Sequence, residues 1–182
     1  MSKDIVVEKG KRLAFLLRHD KEAREKGLID EHGWRQVSEL VKHHGYTRQL
    51  LDEIVETNNK QRYEYDIYKQ RIRARQGHSI QVEVDLKEVT DCNELWHGTS
   101  NKYISSILKS GLQKQNRLYV HLSGDMETAE KVGERHGGKL CLIRIDAKQM
   151  IEDGQKIWIS NNGVYLTNEV DPKYFIEVLY ER

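Results

Sequence analysis

Four groups of side chains in this sequence have the types and spacing to handle a charged substrate. Arg18-His19 directly follows an apolar helical stripe of Leu13, Leu16 and Leu17. Arginine offers a planar fork that matches a phosphate bidentately, and histidine adds a donor or moves a proton. The same pair would also complement a helix dipole and cap its last carbonyls without touching any ligand. Arg71-Ile72-Arg73-Ala74-Arg75-Gln76-Gly77-His78-Ser79 is denser. On a strand, residues 71, 73 and 75 share one face while Ile72 and Ala74 share the other. Three like charges in a row need an anion or water between them. The segment therefore reads either as a solvated basic wing or as part of a phosphate pocket, with Gln76, His78 and Ser79 as further hydrogen-bond partners.

His97-Gly98-Thr99-Ser100 reads as a strand end leading into a helix. A glycine there lets a ligand approach the backbone, and a helix N-terminus favours a diphosphate; a polar strand end before a capped helix explains it nearly as well. In Arg117-Leu118-Tyr119-Val120-His121-Leu122-Ser123, alternation places Arg117, Tyr119 and His121 on one face. That would put a cation, a ring and an imidazole in one cleft, or simply on an exposed strand face. No G-x-x-x-x-G-K-[ST], G-x-G-x-x-G or H-E-x-x-H occurs, so P-loop, Rossmann and zinc-protease chemistry have no footing. His43-His44 and His136 read as surface or capping residues, and no metal site is indicated.

The elements that must position these groups fall into two halves. Residues 9–57 repeat apolar side chains at i, i+3, i+4 three times: Leu13, Leu16, Leu17; Val37, Leu40, Val41; Leu50, Leu51, Ile54, Val55. After Asn58-Asn59, Tyr63, Tyr65, Ile67 and Ile72 suggest two short strands around a turn at Tyr68-Lys69-Gln70. Three helices followed by a hairpin is the order of a winged helix. From about Asp91 the pattern mixes short strands with two helices, one capped by Ser100 and ended by Gly111, the other capped by Asp125 and ended by Gly137-Gly138. The expected fold is α+β, with an N-terminal lobe over 1–90 and a C-terminal lobe over 91–182 built on a mostly antiparallel core.

Composition limits the class of protein. Of the 182 residues, 32% are charged, above the ~25% of average domains, yet the net charge is only +1. No apolar run approaches the ~20 residues needed to cross a bilayer. MSKDIVVEKGKR has no apolar centre of the secretory kind. Cys92 and Cys141 stand far apart without paired spacing, as reduced thiols would. The expectation is a cytoplasmic protein.

In Leu16-Leu17-Arg18-His19, Gly27-Leu28-Ile29-Asp30 with Gly33-Trp34, and Arg71-Ile72-Arg73-Ala74 with Gln76-Gly77-His78-Ser79, the chain resembles the NAD-dependent RNA 2′-phosphotransferases. The likeness continues through His97-Gly98-Thr99, Tyr119-Val120-His121-Leu122-Ser123 and Asn162-Gly163-Val164-Tyr165-Leu166-Thr167, nearly the full length. The resemblance implies a winged-helix lobe followed by an ADP-ribosyltransferase-like lobe that binds NAD. It implies a catalytic set of Arg18, His19, Arg73 and Arg117. His97, His121 and Val164 would define the NAD pocket, with Gly98, Thr99 and Ser123 beside them, and Arg75, Gln76, His78 and Ser79 would contact RNA. The implied partners are RNA with an internal 2′-phosphate, of the tRNA splice-junction type, and NAD as consumed co-substrate. Neither a metal, a membrane nor a protein partner is implied. Two other activities fit the same motifs: ADP-ribosylation of terminal phosphates on RNA or DNA, and non-catalytic NAD sensing by a nucleic-acid binder. The chain departs from the family in having Asp20-Lys21 and Asn93-Glu94 where prolines are usual, and Arg75 where Asn is common.

Overall fold

A computed structural model of the chain describes residues 3–58 and 60–180; Asn59, where the sequence pattern turns from helical to extended, lies outside the described residues. The chain divides after Asp85 into two units. All strand pairing among the described residues is antiparallel, and helices and strands are mixed in both units, which makes the fold α+β. No helix of the described residues is long and apolar enough to cross a membrane.

In the N-terminal unit the three apolar stripes form helices α1 (Lys3–Arg18), α3 (Val37–His43) and α4 (Arg48–Thr57). Between the first two lie a short helix α2 (Lys21–Glu25) and a two-residue strand β1 (Arg35–Gln36). The stripes gave no sign of either, because α2 is built by its Asp20 cap rather than by an apolar face. The hairpin is β2 (Tyr63–Tyr65) and β3 (Arg71–Ala74), in a sheet of order β1-β3-β2. Its turn is organised by Asp66, whose Oδ1 accepts from the Gln70 and Arg71 N–H groups at 2.7 and 3.0 Å. Leu13, Leu16 and Leu17 pack with Leu40, Leu51, Ile54, Ile72 and Ala74, so β3 turns its apolar face to the helices as alternation requires.

The C-terminal unit opens with β4 (Leu86–Glu88), which pairs with a strand at Ile157–Ser160 and so lies beyond the break although it precedes residue 91. There follow β5 (Glu94–Ser100), α5 (Asn101–Ser110), β6 (Leu112–Gln113), β7 (Val120–Leu122), α6 (Met126–Gly133), β8 (Leu140–Asp146) and α7 (Ala147–Glu152). The chain then forms β9 (Ile157–Ser160), β10 (Tyr165–Thr167), β11 (Glu169–Val170) and β12 (Phe175–Tyr180). Three sheets result, ordered β12-β8-β5, β4-β9-β10-β7 and β11-β6. Ser100 caps α5 and Gly111 ends it with φ +76, a left-handed backbone that suits glycine. Asp125 caps α6, which passes into a 3₁₀ turn at Glu134–His136 before Gly137.

Gly98 has a packing task. A Cβ at this position would run into the Ala129 carbonyl of α6, and one at Gly133 would sit 3.1 Å from the backbone of Gly98 and Thr99. The space that the sequence suggested for a ligand is therefore occupied by α6. Gly98→Ala is expected to push α6 off β5 and destabilise the protein by about 1–3 kcal/mol, the usual cost of overpacking. A thermal melt checks this: an unchanged midpoint would mean that α6 yields freely.

Candidate active site

In the N-terminal unit, two motifs some sixty residues apart in sequence meet at the C-terminal end of α1. A helix leaves its last carbonyls without helical partners. Here the Arg18 carbonyl accepts from Ser79 N–H at 3.0 Å and from Ile80 N–H at 3.3 Å. His19 Nδ1 and Ser79 Oγ share a hydrogen bond of 2.9 Å, which fixes the imidazole. The Arg18 guanidinium lies over Gly77, about where a side chain would begin: a Cβ there would stand 3.5 Å from Cζ. Gly77 has φ +88, so the backbone calls for glycine, while a Cβ would meet the guanidinium only at ordinary contact distance. His78 is buried, with Nε2 against Gly33, and so supports the loop from inside rather than from its surface. Arg18, His19, Gly77 and Ser79 form one group beside a helix C-terminus whose partial negative charge favours cations.

The three hairpin arginines each meet carboxylates of the protein. Arg73 is 7% exposed; its Nε donates to Glu64 at 2.7 Å, Nη2 pairs with Asp85, and the guanidinium lies 4.3 Å from the Trp34 ring centroid. Arg71 pairs with Asp66 and Asp30, and Arg75 with Glu64 at 3.1 Å. The screening anions that three like charges require are thus supplied by the protein's own carboxylates. Glu64 was findable, since the hairpin register sets it opposite Arg73. Asp30 and Asp85 carry no such local signal. Because Arg73 is buried against charged partners, Arg73→Ala is expected to cost about 1.5–3 kcal/mol of stability, measurable by denaturant unfolding. A variant as stable as the parent would show these pairs to be worth nothing net.

In the C-terminal unit, the main chains of Trp96 and Ser123 exchange two hydrogen bonds of 2.8 Å, which join β5 to β7. That link sets His97 beside His121: the His97 ring donates Nδ1–H to the His121 carbonyl at 3.2 Å. The His121 ring turns its own Nδ1 to the Tyr119 carbonyl at 3.1 Å. His121 is paired with Leu166 of β10, and Val164 stands just before that strand, so His97 and His121 lie on the joined strands β5 and β7 and Val164 in the turn that enters the strand beside β7. Thr99 is buried in the sheet and Ser100 is spent on capping α5. Arg117 is exposed in a bend, because β7 begins only at Val120; alternation therefore does not align it with His121. Tyr119 packs on Trp158 with ring centroids 5.4 Å apart. Among the described residues Arg117 enters no ion pair.

Burial pushes the His97 imidazole down to about 4, against the opposing pull of its bond to the His121 carbonyl. The ring is neutral at pH 7, and with Nδ1–H donating, Nε2 is an acceptor suited to a hydroxyl. Unfolded, the same ring titrates near 6.5. The unfolded chain therefore binds the proton first on acidification, and His97 should erode stability as pH falls from about 6.5 toward 4. Comparing midpoints across that window for the parent and His97→Gln checks this, since the variant should lose part of the slope. Equal slopes would contradict it.

Arg35 was not among the residues that sequence patterns suggested. It is 1% exposed and takes Asp20, Glu39 and His44 as partners; His44 is the capping residue that ends α3, with its ring turned to Arg35 and Glu39. The spacing of Arg35 and Glu39, four apart where a helix begins, was the available signal.

The sequence model of the family described as RNA 2′-phosphotransferase, Tpt1 / KptA family, matches residues 4–169. A Flavobacterium johnsoniae protein named probable RNA 2′-phosphotransferase is 45% identical over 181 residues, covering 96% of this chain and 97% of its own. A Fusobacterium nucleatum protein of the same name is 40% identical over 173 residues (92% and 96%), and one from Hahella chejuensis 44% over 171 (91% of each).

Proposed function

Since the chain belongs to the RNA 2′-phosphotransferase family, we propose that it is a transferase that removes an internal 2′-phosphate from RNA and passes it to NAD. The observation that carries the reading is the folding of Gly77–Ile80 onto Arg18-His19, which makes one cationic, hydrogen-bonding site from two distant motifs. In this reading the N-terminal unit is a winged-helix lobe that holds the phosphate. The C-terminal unit is an ADP-ribosyltransferase-like lobe that holds NAD. The neutral His97 ring, with Nε2 as acceptor, suits a ribose hydroxyl, and the His97-His121-Val164 neighbourhood suits the nicotinamide riboside. The unjoined thiols of Cys92 and Cys141 agree with work in a reducing cytoplasm, where tRNA carrying a splice-junction phosphate would be found.

The chemistry runs in two steps. A 2′-phosphate oxygen attacks the anomeric carbon of the nicotinamide ribose, the carbon–nitrogen bond breaks, and nicotinamide leaves with the electron pair. The phosphate, of charge about −1.5 to −2, needs to be held in line more than activated. The apolar Val164, at the position where many relatives of this fold carry glutamate, is in keeping with a nucleophile that is already an anion. In the second step the neighbouring ribose 2″-hydroxyl attacks phosphorus. The bond to the RNA 2′-oxygen breaks, that oxygen takes up a proton, and ADP-ribose 1″,2″-cyclic phosphate departs. With Nδ1 of His19 held by Ser79, proton transfer at this ring would run through Nε2.

The test is incubation of the full chain with NAD and an oligoribonucleotide bearing one internal 2′-phosphate, followed by chromatography. RNA with a free 2′-hydroxyl and stoichiometric nicotinamide is expected. A stable ADP-ribosyl adduct as the end product, or RNA left unchanged, would overturn the proposal.

A further inference from the structure

Behind the Arg18-His19 turn lies a charged cluster for which the proposed reaction has no use. The Arg35 side chain spreads its donors over four groups. Nη1 reaches the Leu16 carbonyl at 3.0 Å and Asp20 Oδ2 at 2.9 Å. Nε and Nη2 fork onto the Glu39 carboxylate at 2.6 and 3.0 Å, and Nη2 lies 2.8 Å from His44 Nε2. Two of these partners bracket the reactive pair: Leu16 comes just before Leu17-Arg18, and Asp20 is the residue after His19. Asp20 also caps α2 by accepting from Ala23 N–H at 3.0 Å. Burial works against its ionisation, but the Ala23 N–H and Arg35 together hold its carboxyl below the usual carboxylate range.

Taking a guanidinium and its carboxylates out of water is costly, and an apolar residue of similar volume is often at least as stabilising. What an apolar residue cannot do is grip a main-chain carbonyl and two carboxylates at once. Leu16 and Arg18 both lie in the last turn of α1, where carbonyls lack helical partners. Arg35 takes the first of these carbonyls with a side chain, and the Ser79-Ile80 backbone takes the second. The turn is thus fixed at two points on either side of Leu17.

We infer that Arg35 is a positioning residue: acting through Asp20 and the Leu16 carbonyl, it sets the turn that presents Arg18 and His19. The inference rests on the reading of Arg18-His19 as the phosphate-handling pair. It differs from a purely structural role in its consequence. Loosening the brace should disturb the presentation of the pair before it unfolds the unit.

Asp20→Asn keeps a capping oxygen for Ala23 but loses the charge that Arg35 grips. Arg35→Lys keeps a cation but lacks the fork. Ile54→Val, a core truncation on α4, serves as the control for stability alone. In Asp20→Asn and Arg35→Lys, kcat on the 2′-phosphorylated oligonucleotide is expected to fall about tenfold or more. The KM for NAD should stay within about twofold, because that cofactor contact is not touched. The His19 ring resonances should move in both variants in long-range ¹H–¹⁵N spectra. Ile54→Val should lower the thermal midpoint without either effect. If kcat in all three variants merely tracks the midpoint, or if the His19 resonances stay where they are in the parent, Arg35 only stabilises the fold and the inference is overturned. Should the parent chain show no activity on a 2′-phosphate, the functional reading falls on its own. The His19 spectra then decide: movement in Asp20→Asn and Arg35→Lys but not in Ile54→Val upholds the brace, and any other pattern rejects it.

Discussion

Arg18→Ala is expected to lower turnover by about 10²–10³ while the protein keeps its fold, the range seen when a charged or preorganised donor is removed from a reacting oxyanion. The fold should survive because the anchors at this helix end belong to the main chain. Ser79 and Ile80 bind the Arg18 carbonyl, which alanine retains, and α1 contributes Leu13, Leu16 and Leu17, not Arg18, to the apolar core of the unit. The guanidinium itself lies over Gly77, 3.5 Å from where a Cβ would stand. Steady-state rates on a 2′-phosphorylated oligonucleotide, taken with a thermal melt, decide the matter. An Arg18→Ala protein that melts like the parent and turns over within tenfold of it would remove Arg18 from the chemistry. His19→Ala should be damaging by a partly different route, since it also releases the Ser79 hydroxyl.

What could be read in advance follows from how local each determinant is. The stripes Leu13-Leu16-Leu17, Val37-Leu40 and Leu50-Leu51-Ile54 each state a helix within one or two turns, and all three are helical. Alternation in Ile72 and Ala74 likewise states which side of β3 meets the helices, though not that Arg73 on the other side is buried too. The short pieces were different. Strand β1 and the β6–β11 pair are two residues long and exist because distant chain segments hold them, and the five-residue α2 rests on its Asp20 cap, itself held by Arg35. Ion pairs were hidden for the same reason. The Arg73–Asp85 and Arg71–Asp30 pairs join residues with no periodic relation, so alternation alone does not show which carboxylates meet the row of arginines. Gly98 misled in another way: the sequence marks a place without a side chain but does not say what uses the space, and here it is the backbone of α6.

Arg117→Lys is expected to pull the two chemical steps apart. In the proposed reaction the 2′-phosphate is already an anion before the first step, so a cation beside it mainly holds it in place. In the second step the phosphate has become a diester and the electrophile, and negative charge gathers on its oxygens as the ribose hydroxyl attacks. An interaction that strengthens between that ground state and its transition state sets the rate of that step. By resemblance Arg73 and Arg117 are both candidates, but their surroundings differ. A phosphate would have to compete with Glu64, Asp85 and the Trp34 ring for Arg73. Arg117 is exposed and enters no ion pair among the described residues, so its fork can be turned wholly to substrate. Lysine keeps the charge and loses the bidentate geometry. Step two should therefore slow more than step one, by roughly tenfold if one of two charge-assisted hydrogen bonds is lost. RNA carrying 2′-phospho-ADP-ribose should then accumulate transiently in a quenched time course that resolves substrate, adduct and product. Arg73→Lys should show no such burst and should lose stability first. If Arg117→Lys slows the disappearance of substrate and no adduct is seen at any time, Arg117 acts in binding or in the first step, and the charge that builds in the second step is met by another group.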